Sequence, residues 1–262
     1  MSTPRPHADR PGYVIKYGGN AMTDLDTRRA VALAIRDLAE EGTPPVVVHG
    51  GGPFIKAALD DAGLEHRFSR GLRVTSAASM VVIESVLATL GKRLAMEIGP
   101  AVGLSGRDAG LLLAEQAEAE LGRVGHMRTV NVAVLRALRS ARLVPVVGCV
   151  AIDEHGEALN VNADEVAGAV AAALGEGAYF LSDVPGVLDD PARSDSPLAV
   201  LSRSQAEARI ANGRIAGGMI PKVESALAAL ARGAPFAVIA DGRSPQSVRA
   251  ALAGSGTRLI PG

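Results

Sequence analysis

Between residues 13 and 260 short apolar runs alternate with longer amphipathic stretches. The short runs predict strands at 13–17 (YVIKY), 45–49 (PVVVH), 100–104 (PAVGL), 143–149 (LVPVVGC), 177–182 (GAYFLS), 235–240 (PFAVIA) and 257–260 (TRLI). The longer ones predict helices at 25–41, 53–62, 76–98, 130–141, 163–175, 203–212, 220–232 and 245–253. Most strand runs are apolar at consecutive positions, the mark of strands covered on both faces in a parallel sheet. Strands followed by helices predict an α/β fold, a three-layer αβα sandwich around a mainly parallel, doubly wound sheet. Residues 105–129 break the rhythm and suggest a small antiparallel insertion. The polar stretch 189–198, DDPARSDSPL, suggests a surface loop.

Composition narrows the class. The 262 residues are 48% hydrophobic and 21% charged, so the chain can bury a large core and is not disordered. A net charge of −1 gives no reason to expect nucleic acid or a membrane surface as partner. No uncharged apolar run reaches the ~18 residues of a membrane helix. The polar first dozen residues lack an apolar targeting core and suggest a flexible tail. The single cysteine, Cys149, sits in an apolar run and reads as a small buried hydrophobe. These features lead us to expect a cytoplasmic protein.

Two predicted strands end in glycine clusters, IKYGGN and VVVHGGGPF. Ligands of open parallel sheets sit beyond the carboxyl ends of the strands. Glycines there let backbone N–H groups approach an anion, and the next helix adds its N-terminus. Gly18-Gly19 and Gly51-Gly52 therefore suggest one shared phosphate cradle; tight turns are the structural alternative. Neither loop has the P-loop or G-x-G-x-x-G spacing. Lys16 lies inside the first strand, where a buried ammonium needs an anionic partner. Lys222 follows Pro221 into the first turn of a helix, against the dipole, a cost a bound polyanion would offset.

The stretch ALNVNADEVAGAV opens another helix. Asn162 can cap it and Glu165 can complete a capping box, which leaves Asn160 and Asp164 unexplained. Arg73 precedes a helix and could grip a carboxylate. Residues 181–190, LSDVPGVLDD, follow a strand and turn at Pro185-Gly186, as the lining of a nucleotide pocket would. Asp189 and Asp190 read as solvated turn residues before metal ligands. There is no zinc spacing, no G-x-S-x-G elbow and no assignable acid–base dyad.

Taken in order, KYGGNAM, VVVHGGGP, GLRVT, GLSGRDAG, VGHMRTVN, LNVNADEVA, SDVPGVL, GGMIPKVE and DGR resemble the amino-acid-kinase superfamily, and within it the N-acetylglutamate kinases. The resemblance covers residues 13 to 260 and implies a two-lobed αβα sandwich. Residues 1–175 would bind the acyl amino acid and dimerise, and residues 176–262 would bind ATP. The implied reaction is ATP-dependent phosphorylation of the γ-carboxylate of N-acetyl-L-glutamate, in arginine biosynthesis. It implies that Lys16 and Lys222 stabilise the transferring phosphoryl group while Asp164 positions both. Gly51, Gly52, Arg73 and Asn160 would hold the acceptor, with Arg73 on its α-carboxylate. Gly18, Gly19, Asp183, Val184, Pro185, Gly186, Val187, Leu188, Arg214, Ile215 and Ala216 would line the nucleotide and its phosphates. Mg²⁺ would be held mainly through ATP, with no metal ligands from the protein. A carboxylate is already a nucleophile near neutral pH, so no protein base is required.

Carbamate kinases resemble GGNA but lack GLRVT followed by NVNAD. Aspartokinases carry regulatory repeats for which this chain has no room. A kinase acting on carrier-linked aminoadipate or glutamate is the nearest alternative; HGGG and NVNAD favour the free acceptor over it. A catalytically silent member of the fold is a third reading, against which Lys16, Asp164 and Lys222 argue. RDAG stands where the family often has KDGG, and Phe54 where glutamine is frequent. The short N-terminal segment leads us to expect a homodimer without arginine feedback.

Overall fold

The structure, a computed structural model, describes residues 12–42, 44–189 and 196–262. The expected N-terminal tail and residues 190–195 of the polar loop, Asp190 included, lie outside the described residues. In chain order the elements are β1 (Tyr13–Tyr17), α1 (Leu25–Glu41), β2 (Val46–His49), α2 (Gly52–Asp61), β3 (Phe68–Ser69), β4 (Leu72–Arg73), α3 (Ala77–Ile98), β5 (Ala101–Leu104), β6 (Leu112–Gln116) and β7 (Gly125–Val130). Then come α4 (Val132–Ser140), β8 (Val144–Gly148), β9 (Val150–Ile152), β10 (Ala158–Asn160), α5 (Ala163–Leu174), β11 (Gly177–Ser182) and β12 (Val200–Ser202). The chain closes with α6 (Arg203–Ala211), α7 (Met219–Ala231), β13 (Ala237–Asp241), α8 (Pro245–Leu252) and β14 (Thr257–Ile260).

Eight strands form the central sheet in the order β12-β14-β13-β11-β1-β2-β8-β5. Every neighbouring pair is parallel except β13 with β14. The expected mainly parallel α/β sandwich is the fold found. Alternation within each strand sorts side chains onto two cores. Ile15, Tyr17, Val47 and Val146 face α1, α8 and the C-terminal half of α3. Val14, Val46, Val48 and Phe180 face α5 and α7. Lys16 is in step with Val14, so its side chain leaves on the α5 side.

The expected antiparallel insertion is present, and larger than the sequence indicates. β6 and β7 pair antiparallel with an irregularity at Leu113/Ala114. They join β9 and β10 in a second, four-stranded sheet. The apolar run 143–149 divides there: β8 belongs to the central sheet, and after Cys149 the chain enters the smaller one. Asn162 caps α5 through Asp164 N–H at 2.8 Å, as expected. The capping box does not form. Glu165 instead accepts from Met127 N–H (2.8 Å) and Arg232 Nη2 (2.7 Å), with His126 Nδ1 at 3.2 Å. A carboxylate that can tie α5 to β7 and α7 has better partners than its own N-cap.

Candidate active site

The connection after β1 runs over one face of the sheet through α1, and that after β11 returns over the other through α6 and α7. The crevice at the carboxyl ends of β1 and β11 is therefore a topological switch point, where α/β sheets bind ligands. A cavity of about 460 Å³ opens there, lined by Lys16, Gly18, Gly19, Gly52, Pro53, Ser182, Asp183, Lys222 and Arg243, with Ala21 and Leu181.

The two glycine loops meet in this cavity. A Cβ on Gly19 would stand 3.0 Å from Gly52 N and 3.2 Å from Pro53 Cδ, so the loops approach as only glycine allows. Gly52 has open space around it, and no side chain caps α2, whose N-cap is Gly51. Free amides and a helix N-terminus thus face the cavity, an arrangement suited to phosphate.

Both lysines line the same space. Lys16 Nζ lies 2.8 Å from Asp164 Oδ1 in the first turn of α5. Lys222, in the first turns of α7, lies 3.1 Å from Asp183 Oδ1 just beyond β11. Lys222 holds the Asp183 carboxyl below the usual carboxylate range. Asp164 was expected to hold both lysines; it makes its ion pair with Lys16, because Asp183 offers Lys222 a nearer carboxylate. A smaller cavity of about 90 Å³ still gathers Lys16, Asp164, Lys222, Ser182 and Ser225 on its walls.

A second cavity of about 220 Å³ lies across the α2 N-terminus. It is lined by Gly50–Gly52, Arg73 and Asn160, with Phe68, Val124 and Cys149 among its apolar walls. Arg73 stacks on Phe68, 4.6 Å from the ring centroid, and its Nη2 donates weakly to Gly52 O at 3.4 Å. Its Nη1 is buried with no hydrogen-bond partner. Burial lowers its pKa from the ordinary value, yet a guanidinium stays charged. A buried, unpaired donor edge calls for an anion. Asn160 Nδ2 donates to Thr75 Oγ1 (3.1 Å), and that hydroxyl donates to Arg73 O (2.8 Å), so the two candidate acceptor residues share one support. Cys149 is buried, its thiol pushed up to about 11, which makes it packing.

The structure gathers Gly18, Gly19, Gly52, Lys16, Asp183 and Lys222 at the larger cavity, and Gly51, Gly52, Arg73 and Asn160 at the smaller. It does not bring Val184–Leu188 or Arg214–Ala216 to either wall. Val187 is pinned through its N–H to Thr257 Oγ1 (2.8 Å), and Ile215 is buried in the core. Arg214 lies 3.9 Å from Asp189, which also takes Arg209 Nη2 at 2.8 Å. Ser182 falls in the stretch 181–190 expected to line a nucleotide pocket, whereas Arg243, which also lines the cavity, was not among the candidates. The DGR motif at the end of β13 was the available signal, since β13 neighbours β11 in the same sheet.

This fold and site define a kinase class: the chain belongs to the amino acid kinase family, whose sequence model matches residues 12–241. It is 55% identical to the acetylglutamate kinase of Deinococcus radiodurans, over 95% of this chain and all of that protein. The acetylglutamate kinase of Synechococcus elongatus is 43% identical, over 94% of this chain and 85% of that protein. Among solved structures, the fold matches carbamate kinase from Giardia lamblia bound to AMP-PNP at TM-score 0.71 and 17% identity, covering 97% of this chain and 99% of that one.

Proposed function

We propose that this chain transfers the γ-phosphoryl group of ATP to the γ-carboxylate of N-acetyl-L-glutamate, yielding N-acetyl-L-glutamyl 5-phosphate and ADP in arginine biosynthesis. The observation that carries the reading is the pair of lysines, Lys16 and Lys222, converging on one glycine-lined cavity. The acceptor's identity is supported by 55% identity to an acetylglutamate kinase.

Arg73 grips the acceptor's α-carboxylate through its buried Nη1, which nothing else engages. Asn160, which lines the same cavity, fixes the acceptor beside it. Its γ-carboxylate then points past Gly52 toward the lysines. Lys16 and Lys222 neutralise the equatorial oxygens as charge redistributes, and the amides at Gly18, Gly19 and Gly52 add fixed donors. Asp164 keeps Lys16 aimed. The carboxylate attacks directly, so no residue has to remove a proton. Mg²⁺ would arrive on the phosphates of ATP and be held mainly through them. That ion supplies further charge neutralisation when bound.

We assign acceptor binding to residues 1–175 and nucleotide binding to residues 176–262. The order of the central sheet supports this, with β1, β2, β5 and β8 on one side and β11 to β14 on the other. Val81 and Met96, exposed apolar residues on α3, suit the face of a homodimer. A cytoplasmic setting fits the lone cysteine and the need for ATP.

The test is to incubate the protein with MgATP, N-acetyl-L-glutamate and hydroxylamine, and to measure the hydroxamate of the acyl phosphate. Hydroxamate that depends on free N-acetyl-L-glutamate is expected. Product only with a carrier-linked acceptor, or with none, would overturn the reading.

A further inference from the structure

The larger cavity holds a third cation. Arg243 lies two residues beyond the end of β13 and shares that wall with Lys16 and Lys222. Asp241 grips it from behind: Nε donates to Oδ1 and Nη2 to Oδ2, each at 2.9 Å. The backbone N–H of Arg243 donates to the same Oδ1, also at 2.9 Å. Such a two-point grip fixes the plane of the guanidinium and leaves Nη1 on the side away from Asp241.

The arrangement repeats along the cavity. Asp164 holds Lys16, Asp183 holds Lys222, and Asp241 holds Arg243. The strands run β13-β11-β1-β2 across this end of the sheet. Neighbouring strands lie about 4.8 Å apart, so β1 and β13 stand roughly 10 Å apart, the scale of an extended triphosphate. The acceptor cavity lies on the β2 side, at Gly50–Gly52. The departing nucleotide must therefore extend the other way, toward β13. Ser182 gives an independent sign: it pairs in register with Asp241, and its buried Oγ has no hydrogen-bond partner. A buried hydroxyl left unpaired on a cavity wall is suited to a polar ligand.

We infer that Arg243, oriented by Asp241, binds the phosphates of the departing nucleotide. This rests on the kinase reading and adds a residue to it. Lys16 and Lys222 serve the group in flight, and Arg243 serves the group left behind. Loss of Arg243 weakens the binding of nucleoside diphosphate and leaves acceptor binding as it was. Asp241 is a positioning residue that acts through the guanidinium.

The experiment is calorimetric titration of MgADP into the wild-type protein and into Arg243→Ala, Arg243→Lys and Asp241→Asn, with thermal melts of each. Arg243→Ala should weaken MgADP by about 10- to 100-fold, the worth of one or two hydrogen bonds to a charged acceptor. Arg243→Lys should recover part of that loss and Asp241→Asn should fall between. The Arg243 side chain is 61% exposed, so the melting temperature should barely move. Affinity for N-acetyl-L-glutamate should stay within twofold of wild type. MgADP affinity unchanged in Arg243→Ala would overturn the inference and leave the kinase reading standing. A wild-type protein that binds no MgADP would remove both.

Discussion

Lys16 Nζ lies 2.8 Å from Asp164 Oδ1, bridging the carboxyl end of β1 and the first turn of α5. The contact explains how a charge can sit in an otherwise apolar strand. Period-two alternation sends Lys16 toward α5, and α5 begins with the carboxylate that receives it. The pair is partly buried at the cavity edge, so it is an aiming device more than a source of stability.

From this, Asp164→Ala should lower kcat by about 100-fold, the typical cost of a catalytic group misplaced by an ångström. The KM for N-acetyl-L-glutamate should change far less. Steady-state kinetics checks it; an equal loss in KM alone would mean that Asp164 binds substrate.

Lys222→Ala should separate catalysis from folding. Its partner Asp183 is 74% exposed, and exposed ion pairs contribute about 0–1 kcal/mol. The melting temperature should therefore move little while kcat falls by about 10²–10³-fold. A variant that mainly melts earlier would make the lysine structural.

Gly19 and Gly18 should behave differently. At Gly19 an added Cβ meets Gly52 N at 3.0 Å and Pro53 Cδ at 3.2 Å, whereas at Gly18 the nearest atoms are 3.7 Å away. Gly19→Ala should cost about 1–3 kcal/mol of stability and raise the KM for ATP as the loops are forced apart. Gly18→Ala should leave stability within about 0.5 kcal/mol of wild type. Denaturant titrations of the two variants decide; equal losses would contradict the loop packing described here.

His49 makes the fold sensitive to acid. Its Nδ1 donates to Gly50 O at 3.1 Å, and its Nε2 is buried without a partner, facing Gly91 and Gly148. Burial brings its pKa from 6.5 down to about 4. The unfolded chain takes up a proton near pH 6.5 that the folded chain refuses until about pH 4. The contribution is therefore fully present above pH 6.5 and is lost between pH 6.5 and 4, by about 3 kcal/mol in all. Urea midpoints at pH 7.5, 6 and 5 should fall in wild type and fall less steeply in His49→Gln. Parallel slopes would assign the acid sensitivity elsewhere.

The main strands and helices were legible because each carries its own apolar run or helical period, and the cap Asn162 stood at the start of α5. The short strands β3, β4, β9, β10 and β12 were not, since two or three residues hold no period. Pairing across the sheet decided those. Lys16, Lys222 and the glycine loops could be singled out because each breaks a local rule. Arg243 breaks none: an arginine after a strand is ordinary, and only the placement of β13 beside β11 brings it to the cavity. Glu165 fitted a capping box by spacing, but the approach of Arg232 and β7 redirected it, which no local pattern records.

The most direct measurement follows the oxygen. N-acetyl-L-glutamate carrying ¹⁸O in its γ-carboxylate is incubated with MgATP, the protein and hydroxylamine, and the released phosphate is read by ³¹P NMR. Direct attack of the carboxylate on the γ-phosphorus leaves one ¹⁸O in the acyl–phosphate bridge, and hydroxylamine attack at the carbonyl carbon expels it with the phosphate. Phosphate carrying one ¹⁸O is the expected result. Unlabelled phosphate would mean that water is the acceptor, and would contradict the assignment of the cavity to carboxylate phosphorylation.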